Sequence, residues 1–128
     1  MIHEEICTYE VCKLAKERGF DVPTHYAYNE NCQKAMYMEL CLNRNTKDSR
    51  SISAPTQSLL QRWLREEKNI HIEIIATASG YYWCVNKTNG TSITDSDVLN
   101  RGTNEGGCFD TYELALEDAL VYSLKNLV

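Results

Sequence analysis

Between Ala54 and Ile74 the chain reads APTQSLLQRWLREEKNIHIEI, and the spacing of its apolar residues changes partway along. Leu59, Leu60, Trp63 and Leu64 recur at the three- and four-residue intervals of a helix face, whereas Ile70, Ile72 and Ile74 alternate with His71 and Glu73 as in a half-buried strand. Pro55 suits a first helical turn, Ser53 or Thr56 can cap it, and Asn69 is a plausible turn residue at the far end. The spacing predicts a helix over residues 56 to 68 that passes directly into a strand. Both elements have one apolar face to bury, and helices laid on a sheet satisfy them together.

The same periodicities organise the rest of the chain. Cys7, Val11, Leu14 and Ala15 define one helix face over residues 4 to 18, and Gly19 supplies a left-handed stop with Phe20 beyond it. THYAYN, Thr24 to Asn29, reads as a short strand. CQKAMYMELCLN, Cys32 to Asn43, combines strand-like alternation with good helix formers, and it is assigned as a strand pairing with Thr24 to Asn29. Arg44 to Ser53 has no apolar period and reads as a polar loop. TASG turns the isoleucine strand back into YYWCVN, Tyr81 to Asn86. Asn89-Gly90 signals a type I′ turn into a third strand at Thr91 to Thr94. Asp95 to Gly107 reads as a long loop. Asp110-Thr-Tyr-Glu113 resembles a capping box, Phe109 can staple onto Leu114, and Leu116, Leu120 and Leu124 continue a helix over residues 111 to 126.

The expected architecture is α+β and two-layer, an antiparallel sheet of about three to five strands packed against helices at about 4–18, 56–68 and 111–126. Its 128 residues fit a single domain spanning 1–128. No apolar run approaches the ~20 residues of a membrane helix. The start, Met-Ile-His-Glu-Glu-Ile-Cys, has acids where a signal peptide carries bases, so a cytoplasmic protein is expected. In that compartment Cys7, Cys12, Cys32, Cys41, Cys84 and Cys108 are free thiols, most of them buried, and the glycosylation-like Asn86-Lys-Thr88 and Asn89-Gly-Thr91 have no consequence.

The net charge of -5 is uneven: residues 1 to 69 hold ten acids and ten bases, residues 70 to 128 eight acids and three bases. General polyanion binding is disfavoured by that sign. The α-β-β-β-α order of residues 56 to 126 matches a double-stranded RNA binding domain, but its last helix opens with Asp110, Glu113, Glu117 and Asp118, which would repel phosphate. Arg44, Lys47, Arg50, Arg62, Arg65 and Lys68 form the one modest basic group, diluted by Asp48, Glu66 and Glu67. They are the candidate residues of a nucleic-acid module, the alternative reading.

Metal and nucleophile chemistry find little support. No tight Cys or His pair has zinc-ligand spacing, and Cys84 with His71 on adjacent strands is the one thiol–imidazole pairing the order allows. GTNEGG, Gly102 to Gly107, lacks the Gly-Lys-Ser/Thr ending of a phosphate loop, and Asp95-Ser-Asp97 lacks the later oxygens of a calcium loop. No cofactor, metal site or catalytic residue is expected. Tyr82, on the strand face away from Trp83, and His71 are instead candidates for contact with a partner protein.

The segments SAPTQSLLQRWLREEKNIHIEI, ASGYYWCV, CFDTYELALEDAL and VCKLAKERGFD together resemble small uncharacterised proteins encoded by prophages and mobile elements of Bacteroides. The likeness covers most of the chain, and is weakest between Tyr28 and Arg50. It implies a bacterial setting and a phage or mobile-element role, with no activity to carry over. The resulting expectation is a non-enzymatic accessory protein that binds another protein, with nucleic acid as the less favoured partner and no membrane.

Overall fold

The structure, a computed structural model, describes residues 2–47 and 49–128, and of Cys32 the backbone alone. Asp48, one of the residues expected to dilute the basic group, lies outside the described residues. The fold is α+β, with three α-helices among the described residues and two antiparallel three-stranded sheets. The chain gathers into two compact units, Met1–Leu60 and Gln61–Val128.

In the first unit helix α1 (Tyr9–Glu17) is followed by strands β1 (Thr24–Asn29), β2 (Cys32–Leu42) and β3 (Ser51–Ser53), in the sheet order β2-β1-β3. Thr8 caps α1 by accepting the Val11 amide, so the helix starts later than the apolar period implies. The residues before it are drawn into extended structure: Ile6 bridges to Thr56, and the Cys7 amide donates to Pro55 at 3.0 Å. Gly19 ends the helix at φ +90°, with Phe20 N–H reaching Ala15 O and Gly19 N–H reaching Lys16 O. Those two bonds satisfy the last carbonyls and turn Phe20 inward, where it is buried with Val11, Cys12 and Ala15. Tyr28 is pinned on the same unit by its hydroxyl, which donates to Cys7 O at 2.8 Å.

One feature of this unit departs from the sequence expectation and another adds detail to it. The supposed loop Arg44 to Ser53 ends in β3, which pairs antiparallel with β1 and buries Ile52. A three-residue strand is too short to show a period, so its pairing is set by β1. Asn45 assists by accepting the Ser53 amide and donating to Phe20 O, each at 2.9 Å. The strand assignment of Cys32 to Leu42 holds, but β2 is bulged against β1: Tyr26 faces Tyr37 whereas Thr24 faces Leu42.

The second unit holds most of helix α2 (Gln57–Lys68), strands β4 (Ile70–Thr77), β5 (Gly80–Lys87) and β6 (Ser92–Asp95) in that sheet order, a short 3-10 turn at Glu105–Gly107 and helix α3 (Tyr112–Asn126). Asn69 makes the α2–β4 joint at φ +58°, a conformation Asn tolerates better than most residues. Trp63, Leu64, Ile70 and Ile72 are buried, and Gln61 Nε2 donates to Ile72 O on the outer edge of β4 at 3.0 Å. Helix α3 lies on β4 and β5, burying Leu116, Leu120 and Leu124, with Trp83 and Val85 buried on the facing strand.

Three local predictions shift. The α3 cap is Thr111, whose hydroxyl accepts Leu114 N–H at 3.1 Å, while Asp110 instead accepts from Asn104. Leu114 is exposed and Phe109 bridges to Tyr81, so the expected staple is replaced by backbone pairing. At Asn89-Gly90 only the glycine has positive φ, and Lys87 N–H reaches Thr91 O while Gly90 N–H reaches Lys87 O. That is a three-residue loop closed by a left-handed glycine rather than a type I′ turn.

Candidate functional site

The strand β2 is an edge strand, and its sequence KAMYMELCL places apolar side chains on both faces because Met36 and Tyr37 are consecutive. The core of the first unit takes up little of it. Met36 is 54% exposed, Tyr37 62%, Leu40 66% and Leu42 46%, values far above those of the core residues Ile52 and Tyr28. Tyr37 stacks on His25 with centroids 5.7 Å apart and meets Tyr26 edge-on at 5.5 Å. An open depression of about 430 Å³ runs along Tyr37, Met38, Glu39, Leu40, Leu42 and Arg44. A run of exposed apolar side chains on one edge is a recognised mark of an interaction surface. The alternation seen in the sequence identifies the strand. It could not reveal that the apolar residues face water, since the same pattern describes a buried strand.

In the second unit the register puts His71, Glu73 and Ile75 on one face with Asn86, Cys84 and Tyr82. His71 sits opposite Asn86 and Tyr82 opposite Ile75, so the two residues share a face but are separated by the Glu73–Cys84 pair. Tyr82 borders a depression of about 390 Å³ whose wall carries Asp95, Asp97 and Glu105. Desolvation, followed by the neighbouring Cys84, Asp95 and Glu73, raises the Tyr82 phenol above its ordinary pKa. Cys84 donates to Glu73 Oε2 at 3.7 Å, and partial burial first, then the Glu73 carboxylate, pushes the thiol up to about 11. A thiol held in its protonated form by a carboxylate is the reverse of an activated nucleophile.

The six basic candidates divide between the units, with Arg44, Lys47 and Arg50 in the first and Arg62, Arg65 and Lys68 in the second. Several are committed locally. Arg44 donates to Leu40 O at 3.0 Å, Arg62 pairs with Glu66 at 3.1 Å, and Lys68 lies 5.2 Å from the centroid of the Trp63 ring. Arg65 instead joins His71, Asn86, Lys87, Thr88 and Gly90 around a cavity of about 250 Å³. By residue type and position alone Arg65 falls with the basic group, His71 with the partner-contact candidates and Lys87 with neither. The register pairs His71 with Asn86 and Ile70 with Lys87, so Lys87 follows the His71–Asn86 pair at the same end of the two strands.

Of the thiols described, Cys7, Cys12 and Cys108 are buried, Cys84 is half-buried and Cys41 is exposed. Among the described residues no group of three His, Cys, Asp or Glu side chains is placed to hold a metal ion. No helix among them is long and apolar enough to cross a membrane. No protein-family model, curated protein or solved structure matches the chain.

Proposed function

We propose that this chain is a non-enzymatic accessory protein that binds another protein, acting in a bacterial phage or mobile-element context. The observation that carries the reading is the exposed row Met36, Tyr37, Leu40 and Leu42 on the edge strand β2. Burying such side chains against a partner gains roughly 25 cal/mol per Å² of apolar surface, whereas leaving them in water gains nothing. The bulges in β2 interrupt a flat backbone template, so recognition falls to the side chains rather than to addition of a further strand. Tyr37, braced by His25 and Tyr26, is a rigid aromatic anchor of the kind that dominates interface energetics.

The test is a paired affinity purification from the bacterial host, using the wild-type chain and the variant Tyr37→Ser/Leu40→Asp. Recovery of the same specific protein by wild type and its loss with the folded variant supports the reading. Equal recovery by both, or no specific partner at all, overturns the assignment to β2. A Tyr82→Ser variant run alongside separates this edge from the face of β4 and β5.

A further inference from the structure

We propose that the cavity bounded by Arg65, His71, Asn86, Lys87, Thr88 and Gly90 is a binding site for a small phosphate monoester. The inference is independent of β2, because all of these residues belong to the second unit.

The first reason is the distribution of uncommitted charge. In an acidic protein this depression is lined by an arginine, a lysine and a histidine, with no carboxylate among its lining residues. Other bases of the same unit are engaged: Arg62 with Glu66, Arg101 with Asp118 and Lys68 over Trp63. Arg65, His71 and Lys87 make no ion pair among the described residues, and the Asn86 side chain makes no hydrogen bond among them. Arg65 by itself has a structural explanation, since a cation in the last turn of α2 complements the helix dipole. That explanation does not extend to Lys87 or His71, which lie on strands.

The second reason is that the wall is anchored. Thr88 N–H donates to Asn69 O at 3.1 Å, and Thr88 Oγ1 donates to Asn69 Oδ1 at 3.3 Å, tying the β5–β6 turn to the α2–β4 joint. Gly90 N–H and Lys87 N–H close that turn internally. The backbone that carries Lys87 is therefore tied to the end of α2, whose last turn carries Arg65.

Size and surroundings select the ligand. The depression holds about 250 Å³ and is open to solvent, so it offers room for a phosphate group rather than enclosing a drug-sized molecule. A guanidinium and an ammonium together match a dianionic phosphate, the guanidinium by a two-point contact and the ammonium as a point charge.

The experiment titrates the ¹⁵N-labelled full chain with glycerol phosphate, following amide shifts, with sodium chloride matched for ionic strength as control. Saturable shifts centred on Arg65, His71 and Asn86 to Gly90 are expected, and Arg65→Gln and Lys87→Gln should each weaken binding about tenfold. Linear shifts scattered over the surface, or wild-type affinity in both variants, overturn the proposal. Tighter binding of a phosphoserine peptide or of single-stranded DNA than of glycerol phosphate overturns the assignment to a small ligand. Tyr37→Ser/Leu40→Asp should bind glycerol phosphate as wild type does, and Lys87→Gln should still capture the β2 partner, so the two readings fail separately.

Discussion

Arg101 holds Asp118 by two parallel bonds, from Nε to Oδ2 at 2.7 Å and from a terminal nitrogen to Oδ1 at 2.6 Å. Asp118 Oδ2 also accepts the Trp83 indole N–H at 2.9 Å, and the Tyr122 ring lies against both Trp83 and Arg101. The hydrogen bond to Asp118 is the main reason the Arg101 guanidinium is held above its ordinary pKa. A carboxylate on α3 thus ties the segment after β6 to the central strand β5. Asp118→Ala strands the indole N–H and a part-buried guanidinium at once, and should cost about 2 to 3 kcal/mol in urea denaturation. Arg101→Met leaves the indole bond intact and should cost about 1 kcal/mol. The reverse order would show that the ion pair, not the indole, sets the stability of this corner.

Ser96 organises the stretch that reads as a long loop. Its amide donates to Trp83 O at 2.9 Å, its hydroxyl accepts Trp83 N–H at 3.1 Å, and the same hydroxyl donates to Gly107 O at 2.7 Å. Ser96→Ala leaves a buried donor and a buried acceptor unpaired, so a loss of about 1 to 3 kcal/mol is expected. Hydrogen exchange should quicken at Trp83 first. Unchanged exchange there would refute the network.

Trp63 is buried in α2, and truncation to Ala should destabilise the chain by about 3 to 5 kcal/mol. Lys68→Gln removes only the cation over its ring and should cost less than about 1 kcal/mol. Thermal melts of both variants check the ranking, and a Trp63→Ala protein as stable as wild type would refute the burial.

On β2 the opposite pattern is expected. Met36→Ser and Leu40→Ser alter side chains that already stand in water, so stability should move by less than about 0.5 kcal/mol. Ile52→Ala in β3 should cost about 2 to 5 kcal/mol, because that side chain is buried. A large loss from Leu40→Ser would mean that the edge belongs to the core.

Cys84 gives a pH prediction. Its thiol ionises near 9.0 when unfolded and at about 11 when folded, so between those values the unfolded chain has lost a proton that the folded chain retains. Stability from this group is therefore full below pH 9 and falls as pH rises toward 11. Iodoacetamide at pH 8.5 should label Cys84 more slowly than an unstructured thiol, and Glu73→Gln should speed the reaction. Rapid labelling of wild type would contradict the Glu73 contact.

Local periodicity was enough to recover the elements whose apolar residues repeat several times. The isoleucine alternation gave β4, the leucine face gave α3, and the helix-to-strand switch gave the α2–β4 joint, where Asn69 takes the left-handed turn its residue type permits. These depend on neighbours within a few residues. β3, with three residues, and the Thr111 cap, one residue from Asp110, offered too little local signal to place. Exposure and assembly were decided only in three dimensions. The alternation in β2 is identical whether that strand is central or at an edge, and sheet order left Met36, Tyr37 and Leu40 in water. Arg65, His71 and Lys87 are spread over 23 positions of sequence, and line one depression because antiparallel pairing and the Thr88–Asn69 bonds set the end of β5 beside the α2–β4 joint.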